Sequence, residues 1–152
     1  MAAAASSTRT AQGATRPRTT VAVEDYLEKI EQLIQRKGYA RVVDIAAGLK
    51  ISQASVTAMV QRLDAEGFIN YEKYRGMVLT SSGLEVARRI AHRHQLLTDF
   101  LRVLGVADEK VIYDDVEGME HHISPETFKA IESLTRYLEK NPAVVAKLKA
   151  DR

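Results

Sequence analysis

"RVVDIAAGLKISQASVTAMVQRLDAEGFINYEKYRGMVLT", residues 41–80, is the stretch that decides the fold. Val42, Ile45, Ala46 and Leu49 recur at helical spacing, "KIS" interrupts the pattern, and Val56, Met59, Val60 and Leu63 resume it. This is a helix, a tight turn and a second helix, for which Ser52 is a natural N-cap and Gly67 a natural terminator. Beyond Gly67 the apolar period shortens into two β-prone runs, "FINYE" and "MVLT", separated by Lys73, Tyr74, Arg75 and Gly76. That pattern predicts a hairpin with a basic tip. A small helical domain with an ordinary hairpin shares the local pattern, but the order of elements is that of a winged helix, in which one helix enters the DNA major groove and the wing meets the backbone.

Upstream, Val23, Tyr26, Leu27, Ile30, Leu33 and Ile34 predict an amphipathic helix from Val21 to Lys37, ended by Gly38. The preceding "MAAAASSTRTAQGATRPRTT" has three arginines and neither acidic nor aromatic residues, which predicts a disordered tail over residues 1–20. An organellar transit peptide has a similar composition. The 152-residue chain is 45% hydrophobic and 28% charged, so it can bury a core. No apolar run reaches the roughly 18 residues of a membrane span. The absence of cysteine excludes disulfides, thiolate catalysis and zinc-finger sites, and suits a cytoplasmic location. The net charge of +2 is unevenly spread. Residues 1–20 carry +3, residues 32–83 hold seven Lys or Arg against four Asp or Glu, and residues 84–152 hold eleven against twelve. The basic excess therefore lies where phosphate contact would need it, although surface Lys and Arg are also ordinary solubilising residues.

Downstream, residues Thr80 to Ser82 can cap a long helix to about Leu104, with Ser82 and Glu85 at capping-box spacing. Its inward stripe reads Ala87, Ile90, Ala91, His94, Leu97, Leu101 and Leu104. A helix over about Asp108 to Ile123 follows, then one from Ser124-Pro125 that presents Phe128, Ile131, Leu134 and Leu138, and a short last helix after Asn141-Pro142. The expected fold is mainly α. A tail (1–20) precedes a winged helix-turn-helix domain with a small β-hairpin wing (21–83), an all-helical dimerisation domain (84–141) and a short C-terminal helix (142–152).

"DVEGMEHH", residues 115–122, concentrates titratable groups. At 100° per residue Glu117, Glu120 and His121 share a face beside the apolar stripe of Ile112, Val116, Met119 and Ile123, whereas His122 points elsewhere. Asp25 and Glu28 form a second acidic pair on the first helix. Carboxylates about 4 Å apart repel by roughly 4 kcal/mol at an effective dielectric of about 20, so assembling these four with His94 and His121 would demand cations. Solvated acidic faces and a hydrogen-bonded core histidine are the commoner uses of such residues, and spacing does not show that the three helices converge. The segment also lacks the Glu-x-x-His pair of ferritin-like di-iron enzymes.

Five stretches, "VEDYLEKI", "GYARVVDIA", "ASVTAMVQRLDAEGFINYEKYRGMVLTSSG", "RHQLLTDFLRVLGV" and "DDVEGMEHHIS", together resemble the diphtheria toxin repressor family, in its manganese-sensing branch. The resemblance runs from about Val23 to Leu138 and omits the tail. It lacks the SH3-like domain of longer members, as the short manganese branch does. It implies a Mn(II)-activated, homodimeric repressor of manganese uptake and homeostasis genes that binds a palindromic double-stranded DNA operator. It further implies metal ligation by Asp25, Glu28, His94, Glu117, Glu120 and His121, holding a pair of Mn²⁺ ions per subunit. Six O/N ligands suit hard or borderline cations, though raw affinity would favour Zn²⁺ or Cu²⁺. Iron-sensing relatives carry sulfur ligands at the positions of Asp25 and Glu117, which argues against an iron sensor.

For DNA, the expected contacts are Ser52, Gln53, Ser55 and Thr57 at the start of the second helix of the motif, Gln61 and Arg62 further along it, and Lys73 and Arg75 on the wing. Thr57, Gln61 and Arg62 would equally suit a solvated helix face. Two other functions fit parts of the pattern. A metal-dependent enzyme with a di-metal carboxylate site would need an open coordination position, and a winged-helix regulator of iron or an organic ligand would use the same DNA-reading half.

Overall fold

The computed structural model describes residues 19–72 and 75–150, so most of the expected tail and Lys73 at the wing tip lie outside the described residues. The first helix, α1, spans Val21–Lys37 and is capped by Thr20, whose hydroxyl accepts from the Val23 N–H at 3.4 Å. It stops at Gly38, where φ is 81°, a left-handed conformation that needs no Cβ penalty. Helices α2 (Val42–Leu49) and α3 (Gln53–Ala65) follow. Lys50, with φ 57°, makes the turn between them, and the Ile51 N–H donates to the Ala46 carbonyl at 3.1 Å. Strands β1 (Ile69–Glu72) and β2 (Gly76–Leu79) are antiparallel, with Ile69 opposite Leu79 and Glu72 opposite Gly76. Ala40 bridges to Met77, which ties the entry of α2 to the hairpin.

Helix α4 (Ser81–Leu104) is capped by Thr80, the first residue of the expected capping stretch. The Thr80 hydroxyl accepts from the Gly83 N–H at 3.2 Å and donates to the Gly67 carbonyl at 2.7 Å, so one side chain both caps α4 and staples it to the turn after α3. Gly83 allows the close approach. A Cβ built there would stand 2.0 Å from the Phe68 carbonyl oxygen. The chain ends in α5 (Glu109–Glu120), α6 (Pro125–Lys140) and α7 (Pro142–Ala150). The fifth helix is thus shorter than the expected reach to Ile123, and His121 is its C-cap.

One apolar core joins α1, α2, α3 and the hairpin, and takes Val86 and Ala87 from the start of α4. A second, smaller core gathers Leu97, Ile112 and Val116, with Leu101, Met119, Ile123 and Ile131 packed against it. Each fully buried aliphatic side chain contributes about 1.5–3 kcal/mol, so the second core is the thinner one. Two expected core positions are corrected. Ala91 is exposed, and Leu134 is 45% exposed while Thr135, its hydroxyl donating to the Ile131 carbonyl at 2.8 Å, is buried instead. The stripe of α6 is therefore Phe128, Ile131, Thr135 and Leu138, and a satisfied hydroxyl allows threonine a place that apolarity alone would give to leucine. Val111 on α5 and Leu134 and Tyr137 on α6 remain exposed.

Candidate metal centre and nucleic-acid interface

Helix α4 packs on both α1 and α5, and where the three meet the sequence has placed its titratable groups. Asp25 and Glu28 come from successive turns of α1, His94 from the middle of α4, Glu117 and Glu120 from the last turn of α5, and His121 from its C-cap. His94 Nδ1 lies 3.2 Å from Glu120 Oε2 and 3.6 Å from Glu117 Oε1. His121 Nε2 lies 3.1 Å from Asp25 Oδ1 and 3.4 Å from Glu120 Oε1. One ligand atom each from His94, Glu117 and Glu120 fit within 4.8 Å of one another. Asp25, Glu28, His94, Tyr113 and Glu117 line a shared cleft of about 490 Å³. His122 is exposed, as its position on the helix predicts.

Glu120 is the centre of this arrangement. It is fully buried, and although His121 Nε2 is within ion-pair reach, Oε1 makes no hydrogen bond. A buried carboxylate oxygen without a donor costs several kcal/mol unless something cationic completes it. The surrounding groups feel the same imbalance. Burial pushes the carboxyls of Asp25, Glu28 and Glu117 above the usual range, and the charge of Glu120 raises all three further. The His94 imidazole is pushed up chiefly by its hydrogen bond to Glu120, against the opposing effect of burial. Two imidazoles and four carboxylates without sulfur, gathered round an unsatisfied buried oxygen, fit a hard or borderline divalent cation.

Three residues beyond the sequence-derived set touch the site. Glu24 is buried beside His121, with Oε2 at 3.0 Å from Nδ1. Arg89 Nη2 reaches Glu24 Oε1 at 3.4 Å, and the Tyr113 ring stands 5.9 Å from that of His94. Burial beside the carboxylates raises the Tyr113 phenol. Glu24 had a signal, because it stands at i, i+4 to Glu28 and flanks the apolar stripe at Val23 and Leu27. Arg89 had none, since its role exists only through the crossing of α4 over α1.

The expected DNA-contacting residues come from α3, its N-cap and the hairpin, with Lys73 outside the described residues. Gln53 and Gln61 are exposed, and Gln53 and Thr57 line a groove of about 500 Å³ with Arg41, Val43 and Tyr71. Several of the set are already engaged within the fold. Ser52 caps α3 by accepting from the Ser55 N–H at 3.1 Å, and the two hydroxyls are 2.8 Å apart. Thr57 donates back to the Gln53 carbonyl at 2.9 Å, and Arg62 pairs with Glu66 at 2.6 Å. Arg75 pairs with Glu72 at 3.2 Å at an exposed site. Arg41 stacks over the Tyr39 ring, 4.6 Å from its centroid.

Comparison with known proteins adds independent findings. The sequence model described as "Iron dependent repressor, N-terminal DNA binding domain" matches residues 18–77, and "Iron dependent repressor, metal binding and dimerisation domain" matches residues 80–146. The HTH-type transcriptional regulator MntR of Bacillus subtilis (strain 168) is 51% identical over 132 residues, which cover 87% of this chain and 92% of that protein. MntR of Lysinibacillus sphaericus (strain C3-41) is 50% identical over 133 residues, covering 88% and 95%. Among solved structures, the manganese regulator SloR superposes with a TM-score of 0.66 at 27% identity, over 76% of this chain. The apo form of the manganese-activated repressor ScaR gives 0.65 at 27%, over 74%. In each of those two structures the chain spans 54% of the length.

Proposed function

The chain belongs to the iron-dependent repressor family, the group of the diphtheria toxin repressor, and from that premise we propose that it is a Mn(II)-activated repressor of manganese-uptake genes. It is a metal-dependent, DNA-binding transcriptional regulator and not an enzyme. Among the described residues no helix is long and apolar enough to cross a membrane. A regulator of this kind works on DNA, which for this chain we place in the cytoplasm. In our reading residues 21–83 read DNA, residues 84–141 bind metal and dimerise, and residues 142–152 form a terminal appendage.

The observation that carries the metal reading is Glu120, fully buried with an oxygen that has no hydrogen-bond donor, between His94 and His121. Asp25, Glu28, His94, Glu117, Glu120 and His121 would hold the metal, and six side chains with four bridging-capable carboxylates support two Mn²⁺ ions per subunit. Bound Mn²⁺ would supply positive charge and oxygen coordination at that junction. Without that charge, Asp25 and Glu28 on α1 repel Glu117 and Glu120 on α5. Because α1 shares the first core with α2 and α3, the freedom of α1 is also freedom of the DNA-reading helix. Fixing α1 against α4 and α5 narrows the range of positions of α3. In a homodimer this fixes the separation of two copies of α3, which suits a palindromic operator with a fixed half-site spacing. The exposed apolar side chains Leu134 and Tyr137 on α6 are of the kind a dimer buries.

On the DNA side, Gln53 and Gln61 are free to meet base edges. Ser52, Ser55 and Thr57 would meet phosphates with the valences that their helix-capping bonds leave. Arg62, Lys73 and Arg75, joined by Arg41, would supply positive charge. The test is operator affinity titrated with Mn²⁺, Fe²⁺ and Zn²⁺ against a chelator control. Tight binding only with Mn²⁺ or a similar ion is expected. Equal binding with chelator present would refute metal activation, and turnover of a substrate by the metal-loaded protein would revive an enzyme.

A further inference from the structure

We propose that Glu24 is a positioning residue for the metal centre, one that fixes the tautomer and ring orientation of His121 so that Nε2 is presented to the ion. The inference rests on the metal-sensing reading above and names a residue outside its ligand set. His121 is the C-cap of α5, where the helix no longer packs the side chain between turns, and its ring is oriented by what its nitrogens touch. Nδ1 lies 3.0 Å from Glu24 Oε2. A carboxylate only accepts hydrogen bonds, and among the carboxylates around the ring Glu24 is the one in hydrogen-bond geometry with it, the Asp25 and Glu120 oxygens being close to Nε2 but not aligned for a bond. This contact therefore selects the ring form with its proton on Nδ1. The Nε2 lone pair is then left facing Asp25 Oδ1 at 3.1 Å and Glu120 Oε1 at 3.4 Å, three electron-rich atoms arranged about a place for a cation.

Glu24 is itself held from both sides. Its Oε1 accepts from the Thr19 hydroxyl at 2.6 Å and from Arg89 Nη2 at 3.4 Å, and the side chain is 11% exposed. Arg89 also donates to Thr19 at 3.3 Å, closing a three-residue clamp between α4 and the residues leading into α1. With Oε1 turned to Arg89 and Oε2 to the far nitrogen of the ring, neither oxygen is spare for the ion. This separates Glu24 from its neighbour Asp25, which faces the metal-directed nitrogen. The arrangement is that of an outer carboxylate that sets the tautomer and ring orientation of a metal-directed histidine.

The test needs no activity measurement. Long-range ¹H–¹⁵N spectra of the metal-free protein, recorded at a pH where the ring is neutral, report which His121 nitrogen carries the proton. The parent should show the Nδ1–H form, Glu24→Ala should shift toward Nε2–H, and Glu24→Gln, which keeps an acceptor oxygen, should retain Nδ1–H. Calorimetric Mn²⁺ affinity should fall about 10-fold or more in Glu24→Ala and recover most of that loss in Glu24→Gln. In a His121→Ala background, Glu24→Ala should add little, because the ring it positions is gone. A parent that binds Mn²⁺ with the proton on Nε2 overturns this role alone, as does an equal loss from Glu24→Ala in both backgrounds. A parent that does not bind Mn²⁺ overturns the metal reading and this role with it. If Glu24→Ala does not fold, the Glu24→Gln spectrum decides: loss of the Nδ1–H form there refutes the proposal.

Discussion

Replacing Glu120 by glutamine should make the protein more stable without metal and less stable with it. The oxygens of Glu117 and Glu120 lie within 4.8 Å, where two unit charges at an effective dielectric of about 20 repel by roughly 3.5 kcal/mol. Neutralising one removes that repulsion and lets a new N–H₂ donor face the unsatisfied corner beside His121 and Asp25. Against this, the charge-assisted bond from His94 Nδ1 at 3.2 Å becomes an ordinary one, a loss of about 1.5–3 kcal/mol at most. The difference is a gain of roughly 1 kcal/mol in chelator, worth about 2–4 °C in Tm for a chain of this size. With Mn²⁺ at about 100 times its Kd the parent gains some 2.7 kcal/mol, which the variant should lack. Thermal melts by circular dichroism, in chelator and in Mn²⁺, give all four values. The reasoning is refuted by a variant less stable than the parent in chelator, or by one that keeps the parent's full shift with Mn²⁺.

The metal response should also depend on pH. Asp25, Glu28 and Glu117 have folded pKa values raised above their ordinary 3.8 and 4.5, so the metal-free fold binds more protons than the unfolded chain between those values and the raised ones. His94, also raised, adds stability that is lost as pH climbs through its folded pKa. Both effects predict a metal-free Tm that falls, and a Mn²⁺-induced increase that grows, from about pH 5 to about pH 7.5; a constant increase would contradict this. Asp25→Met combined with Glu117→Cys should gain a DNA-binding response to Fe²⁺ or Co²⁺ and lose part of the response to Mn²⁺, measured as operator affinity at matched free metal. Unchanged metal preference would remove those two residues from the selectivity argument. Arg75→Ala should flatten the salt dependence of operator binding by about one unit, because its exposed pair with Glu72 is weak enough to yield to phosphate; an unchanged slope would place the wing off the DNA. Gly83→Ala should cost roughly 3 kcal/mol, since its Cβ would meet the Phe68 carbonyl at 2.0 Å, and a Tm within about 2 °C of the parent would show that the seam can open.

Much of the fold was legible because local patterns and tertiary structure agree. The spacing of Val23 to Ile34, closed by Gly38, predicts α1 with its observed ends, and the break at "KIS" coincides with Lys50 in its left-handed turn. What pattern reading missed required knowledge of a neighbour. Leu134 outranks Thr135 in apolarity, yet Thr135 is the buried one and satisfies its hydroxyl locally. Within the expected capping stretch Thr80 to Ser82, it takes a neighbour to single out Thr80, whose hydroxyl donates to the Gly67 carbonyl thirteen residues back. The six ligand candidates could be singled out one helix at a time, but their convergence depends on α1 and α5 both crossing α4. Arg89 became visible only through that crossing, whereas Glu24 had a sequence signal in its spacing to Glu28.

Helix α4 has a consequence for modularity. At 24 residues it is about 36 Å long, and it is a single unbroken rod that contributes Val86 and Ala87 to one core and Leu97 to the other. The proposed boundary between residues 83 and 84 therefore falls inside its first turn, where no flexible linker exists. Truncation at that point would strip two buried side chains from the DNA-reading half and uncover the groove they fill. The halves of this protein are thus not beads on a string that can be transplanted separately. A graft of its sensor onto another DNA-reading head would have to splice within a continuous helix, in phase, with every turn of the splice keeping His94 at the same angle to the incoming α1.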